Sequence, residues 1–174
     1  MVHFSSFCLS CYVLSMYPPT IVIRHRKENL KKCSLKGLED RCDFLFFRYP
    51  QQINLPPLDQ YILLSLEAEE ELSLDDREMG LLLLDGTWRY AQKMEQQMHF
   101  PTNILKRRLP RNLQTAYPRR QQDCSDPNSG MASVEALACA YALMGRPFGE
   151  LLNHYHWKES FIEKNKAFLL NSRT

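Results

Sequence analysis

Several signatures of common enzyme classes are missing from this chain. It has no Gly-x-Gly-x-x-Gly turn for a dinucleotide and no Gly-x-x-x-x-Gly-Lys loop to cradle nucleotide phosphates. It also has no His-Glu-x-x-His zinc pair and no Gly-x-Ser-x-Gly nucleophile elbow. The six cysteines, at 8, 11, 33, 42, 124 and 139, do not have the spacing of a disulfide framework. Cys8 and Cys11 are spaced like metal ligands, but no second pair stands at a suitable distance, and the histidines are scattered, so no metal site is expected. The first fifteen residues lack Lys and Arg, form no recognisable secretory signal, and are too short and polar to span a membrane. These absences predict a reduced, cytoplasmic protein with no membrane partner. Residues 1–15 read as a disordered extension, or as sequence upstream of a true start at Met16, just before Tyr17-Pro18-Pro19.

What is present is an ordinary soluble composition with a marked separation of charge. With 174 residues, the chain suits one compact domain or two lobes sharing a core. The formal charge is only +2, but Glu67 to Glu78 is mostly acidic, whereas Lys106, Arg107, Arg108, Arg111, Arg119 and Arg120 have no acid among them. A second basic group, Arg24, His25, Arg26, Lys27, Lys31, Lys32 and Lys36, lies near the start. Such separation suits a face for a polyanion, RNA first, or equally two solvated faces of an ordinary enzyme.

Four leucines, Leu81 to Leu84, precede Asp85-Gly86-Thr87-Trp88. An apolar run of this length bounded by turn residues predicts a strand buried on both faces, followed by a helix to about Met98 with Thr87 as its N-cap. In parallel α/β sheets, ligands bind beyond the carboxyl ends of the strands, where Asp85 and Trp88 would stand. Shorter strands are predicted at Thr20 to Arg24, Asp43 to Phe47 and Tyr61 to Leu64. They are separated by crossovers rather than tight hairpins, which predicts a parallel sheet in the first half. Ser34 reads as a local helix cap, and the acidic stretch after Ser65 as helix-like up to a cap signature at Ser73-Leu74-Asp75-Asp76.

The second half reads as a basic loop with prolines 101, 110 and 118, a polar loop from Asp123 to Gly130, a helix from Ser133 to Met144 closed by Gly145, and a last helical segment from about Phe148 to Leu170. The small residues all round the Ala132 to Met144 helix imply burial on most sides. Its N-terminal amides, at Ser133, would suit an anion. Glu135 on this helix is expected to bind a loop amide or an arginine. An Asp-Gly-Thr after a strand also occurs in phosphatases whose nucleophile is an aspartate two residues earlier, but that position is Leu83 and excludes them.

Taken in order, Lys32-Cys33-Ser34, Leu63-Leu64-Ser65, Leu74-x-Asp76, Leu84-Asp85-Gly86-Thr87-Trp88, Asn128-x-Gly130 with Ser133-Val134-Glu135-Ala136, and Trp157-x-x-x-Phe161-x-x-x-Asn165 resemble the aminocarboxypropyltransferases of ribosome biogenesis, which modify an rRNA pseudouridine. The spelling Asp-Gly-Thr-Trp is closer to the related DTW-domain proteins, which act on tRNA uridine. The resemblance implies an α/β fold with a SPOUT-like knotted parallel sheet and a mainly helical C-terminal half. Residues 16–105 would form the S-adenosylmethionine-binding region, and 106–174 would complete the ligand and RNA site. It further implies transfer of the 3-amino-3-carboxypropyl group from S-adenosylmethionine, as donor substrate, to a uridine or pseudouridine.

On this resemblance Asp85 and Trp88 are the catalytic candidates, facing the sulfonium by charge and by cation–π contact. Ser34 and Ser133 would hold the donor carboxylate, and Leu64, Ser65 and Leu84 the adenosine. Arg24, Arg26, Lys27, Lys31, Lys32, Lys106, Arg107, Arg108, Arg111, Arg119 and Arg120 would hold RNA phosphates. The expected partner is rRNA ahead of tRNA, in a pre-ribosomal particle, with the protein a monomer. A SPOUT-type RNA methyltransferase and a non-catalytic ribosome-assembly factor are the rival readings.

Overall fold

The computed structural model describes residues 17–31, 33–51, 54–118 and 130–171. The sequence readings at residues 1–16, Lys32, Arg119, Arg120, Cys124 and Asn128 lie outside them. Five parallel strands form one sheet: β1 Thr20–His25, β2 Phe44–Tyr49, β3 Tyr61–Leu64, β4 Gly80–Asp85 and β5 Leu105–Arg107. Their spatial order is β2-β1-β4-β3-β5, so β4 enters between two strands that precede it in sequence. Two register pairs place the site. Arg24 lies opposite Asp85 across β1 and β4, and Leu64 opposite Arg107 across β3 and β5.

Alternation along the central strands explains why they are apolar throughout. Ile21, Ile23, Leu82 and Leu84 enter one core with Met94, which lies on α1 (Trp88–Gln97). Val22, Leu81 and Leu83 enter the other, with Val134, Leu137, Ala138 and Tyr141 of α2 (Ser133–Leu143). Helices on both faces leave no solvated side, so a two-residue polar alternation never develops. Burying the small-residue helix α2 on nearly every side accounts for its composition; its residues from Val134 to Ala142 are all buried except Ala136. It ends in a Schellman turn: Arg146 N donates to Tyr141 O at 2.8 Å and Gly145 N to Ala142 O at 3.1 Å. Gly145 has the φ of +66° that this turn needs.

Four readings of the sequence are corrected. The acidic stretch after Ser65 is not helical. Leu72 N donates to Arg108 O, and Arg108 N to Glu70 O, both at 2.9 Å, so the acids run beside the basic segment. Pairing unlike charges between segments is available there, and a helix of adjacent glutamates would repel itself. Correspondingly, the basic loop contains β5, a three-residue edge strand whose exposed Lys106 and Leu105 gave no periodic signal. The last helical segment is broken into a 3-10 turn at Gly149–Leu152, α3 (Lys158–Lys164) and α4 (Lys166–Asn171). Ser34 caps no helix of its own: its Oγ accepts from Val134 N of α2 at 3.3 Å, supplying the side-chain oxygen that the N-cap residue Ala132 lacks. The capping box at Ser73 is present, with Asp75 N donating to Ser73 Oγ at 3.2 Å and Ser73 N to Asp76 Oδ2 at 3.0 Å. Thr87 is the N-cap residue of α1, although its side chain makes no capping bond.

Candidate active site

β1 is followed by a strand on one side of the sheet and β4 by one on the other, and a crevice forms where such connections diverge. Beside it, beyond the ends of β3 and β4, lies a cleft of about 420 Å³. Leu64, Ser65, Leu83, Leu84 and Gly86 form its floor. Trp88, Ala91, Gln92 and Glu95 face it from α1, Arg107 to Leu113 contribute one wall, and Met131, Ser133 and Ala136 another. That volume and its mostly apolar lining suit a nucleoside-sized ligand.

Of the residues expected to hold the donor, Leu64, Ser65, Leu84, Trp88 and Ser133 line this cleft, whereas Asp85 and Ser34 do not. Asp85 is 3% exposed and lies beneath it. Its Oδ2 accepts from Arg24 Nε at 2.8 Å and from the Cys33 thiol at 3.7 Å, while Oδ1 accepts from Ser133 Oγ at 2.7 Å. Three separate segments therefore meet on a carboxylate carried by a fourth. Burial, reinforced by the charge of Asp85, pushes the Cys33 thiol up to about 12, so it stands there as a proton donor. Burial alone would lower the Arg24 pKa, but the hydrogen bond and charge of Asp85 offset this and the net direction is upward.

The wall opposite α1 is tied down by two polar side chains. Glu135, fully buried, accepts from Thr115 Oγ1 (2.6 Å), Ala116 N (2.8 Å), Ala132 N (2.9 Å) and Tyr155 OH (2.9 Å). This is the loop-amide role expected of it. Asn165 clasps the neighbouring peptide group: its Nδ2 donates to Gln114 O at 2.8 Å and to Phe161 O at 3.0 Å, and Gln114 N donates to its Oδ1 at 2.9 Å. Next to these anchored residues, Leu113 stands in the cleft wall.

The cations expected to bind RNA divide into two sets. Lys106 pairs with Glu95 at 2.8 Å, Arg107 with Glu70 at 2.7 Å and Asp76 at 3.3 Å, and Arg108 with Glu71 at 2.7 Å. Arg24 pairs with Glu39 at 3.0 Å as well as with Asp85. Arg26, Lys27, Lys31 and Arg111 are exposed. Arg26, Lys27 and Lys93 surround His25, which stacks on Tyr90 at 4.0 Å between ring centroids. Burial, then these three cations, lower the His25 pKa.

Sequence reasoning missed Glu95, whose Oε2 accepts from Ser65 Oγ at 2.9 Å inside the cleft. Its signal was available: Trp88, Ala91, Gln92 and Glu95 fall on one helix face at i, i+3, i+4 and i+7. Glu39 and Lys93 gave no such signal, because only the fold brings them near Arg24 and His25.

Fold and cleft together define a parallel α/β protein with a mostly apolar cleft at the carboxyl edge of its sheet. Among solved structures, that of the SAM-dependent rRNA:acp-transferase Tsr3 from Vulcanisaeta distributa is similar to it, with a TM-score of 0.69 and 24% sequence identity, covering 89% of this chain and 83% of that one. The likeness is one of fold. No protein-family model matches the chain, and no curated protein matches it in sequence.

Proposed function

We propose that this protein transfers the 3-amino-3-carboxypropyl group of S-adenosylmethionine to a uridine or pseudouridine in structured RNA, rRNA ahead of tRNA. The observation that carries the reading is the cleft itself: a nucleoside-sized apolar space with an indole at its edge and a clamped carboxylate beneath, in a fold shared with Tsr3. Leu64 and Leu84 pack the adenosine, Trp88 and Ala91 cover the sulfonium and the methyl that is not transferred, and the start of α2 receives the donor carboxylate. A uracil nitrogen attacks the methionine Cγ, the carbon–sulfur bond breaks, methylthioadenosine leaves, and the uracil proton passes to water. The residues contribute orientation of the two reactants and exclusion of water from the sulfonium.

In this reading the Ser133 hydroxyl has a restricted part. It has one hydrogen, which is already directed at Asp85, so the donor carboxylate is met by backbone amides at the start of α2 and not, as the sequence suggested, by Ser34, which lies outside the cleft lining. Asp85 acts electrostatically from beneath the cleft. RNA lies along Arg26, Lys27 and Lys31 rather than along Lys106 to Arg108, whose charges are spent on Glu95 of α1 and on the acidic segment. The SPOUT-like knot belongs to the same proposal and rests on the family resemblance of the sequence. So do the division into a donor-binding region 16–105 and a completing region 106–174, and a monomer acting in the cytoplasm on pre-ribosomal RNA. Among the described residues no helix is long and apolar enough to cross a membrane.

The test incubates the protein with S-adenosylmethionine and, separately, rRNA and tRNA from cells lacking the gene. Methylthioadenosine and an aminocarboxypropyl nucleoside in rRNA are expected. S-adenosylhomocysteine instead would establish a methyltransferase, and product in tRNA alone would favour the branch that the Asp-Gly-Thr-Trp spelling suggests. No product with either RNA would leave the assembly-factor reading.

A further inference from the structure

The sequence puts Arg24 among cations that hold RNA phosphates, but its surroundings occupy it otherwise. The side chain is 11% exposed, and its guanidinium lies over the Phe46 ring at 4.9 Å. Nε donates to Asp85 Oδ2 at 2.8 Å and Nη1 to Glu39 Oε1 at 3.0 Å. The strand register already places Arg24 beside Asp85, so the pairing costs little additional ordering. On the other side of Asp85, Ser133 reaches Oδ1 from α2. Remove Arg24, and the carboxylate keeps one strong anchor, on Oδ1, while Oδ2 is left with only a weak thiol contact.

We propose that Arg24 is a positioning residue: it fixes the Asp85 carboxylate, jointly with Ser133, in the one orientation that serves the reacting centre. This rests on the transferase reading above. Glu39, Arg24 and Asp85 together carry one net negative charge, so the clamp retains an attraction for a cationic donor while holding its source still. Lysine at this position supplies a point donor for Asp85 but not the planar fork that also reaches Glu39.

The experiment uses the full chain as wild type, Arg24→Gln, Arg24→Lys, Asp85→Asn and the Arg24→Gln/Asp85→Asn double variant. Single-turnover formation of methylthioadenosine is expected to slow roughly 100-fold in Arg24→Gln, the scale for a misplaced group at a reacting centre. Arg24→Lys recovers part of the rate. The double variant is no slower than Asp85→Asn, and RNA affinity and its salt dependence stay at the wild-type level. A full rate in Arg24→Gln, or effects that multiply in the double variant, would overturn the proposal. So would a loss of RNA affinity with the salt slope reduced by about 1, the mark of a lost phosphate contact. Thermal unfolding of wild type, the two single Gln and Asn variants and their double provides a cycle independent of activity. Non-additive shifts are expected, and additive ones refute the clamp even if the wild type makes no product. Absence of methylthioadenosine from the wild type itself refutes the transferase reading instead.

Discussion

Replacing Glu135 by glutamine changes one atom and should cost far more than that suggests. Ala116 N and Tyr155 OH donate to Oε1, Thr115 Oγ1 and Ala132 N to Oε2. Each oxygen therefore serves one hydroxyl and one backbone amide. Whichever way glutamine is turned, its NH2 faces one hydroxyl, which can rotate to accept, and one backbone N–H, which cannot. A buried N–H left without an acceptor costs about 1–3 kcal/mol, and the remaining bonds lose their charge assistance, so a total of about 2–4 kcal/mol is expected. Glu135→Ala abandons all four donors and should cost about 4 kcal/mol or more, a large part of the about 5–15 kcal/mol available to a domain. Urea unfolding measures the loss, and hydrogen exchange of the Ala116 and Ala132 amides locates it. On the proposed function, affinity for S-adenosylmethionine should fall as well, because Leu113 stands in the cleft wall beside the residues that Glu135 anchors. A glutamine variant within about 0.5 kcal/mol of wild type, the level of an unremarkable surface change, would refute the reasoning.

Asn165→Asp should destabilise more than Asn165→Ala, because a carboxylate oxygen would then face the Gln114 and Phe161 carbonyls; chemical denaturation at pH 7 orders the two. His25 has a folded pKa below its unfolded one, so the unfolded chain binds more protons around pH 6. Its contribution to stability is complete above about pH 6.5 and is lost as the pH falls below that; His25→Gln should flatten the stability–pH slope there. Alkylation mapped by mass spectrometry should mark Cys42, which is exposed, before Cys33 and Cys139, whose thiols are buried and raised in pKa. On the same proposed function, Lys27→Glu with Lys31→Glu should weaken RNA binding and reduce its salt slope more than Lys106→Glu, as a filter-binding titration over salt would show.

The four-leucine strand, Asp85 at its end and the helix carrying Trp88 were legible in the sequence. Apolar runs buried on both faces and residues at strand ends follow from local pattern alone. The same holds for α2, whose composition announces burial and whose Gly145 announces its end. The acidic and basic stretches misled, because each was read by itself and charge alone does not say whether a cation meets a phosphate or another part of its own chain. Their pairing through β5 depends on a strand order in which segments about forty residues apart lie side by side.

Local chemistry along the chain thus determined the four longer strands, α1 and α2, and the sheet's parallel character. Only the tertiary structure decided that Arg24, Cys33, Asp85 and Ser133 share one hydrogen-bonded cluster, and that Ser34 caps a helix one hundred residues further on. The physical reason is that a hydrogen bond requires contact within about 3 Å, whereas sequence patterns report only periods of a few residues.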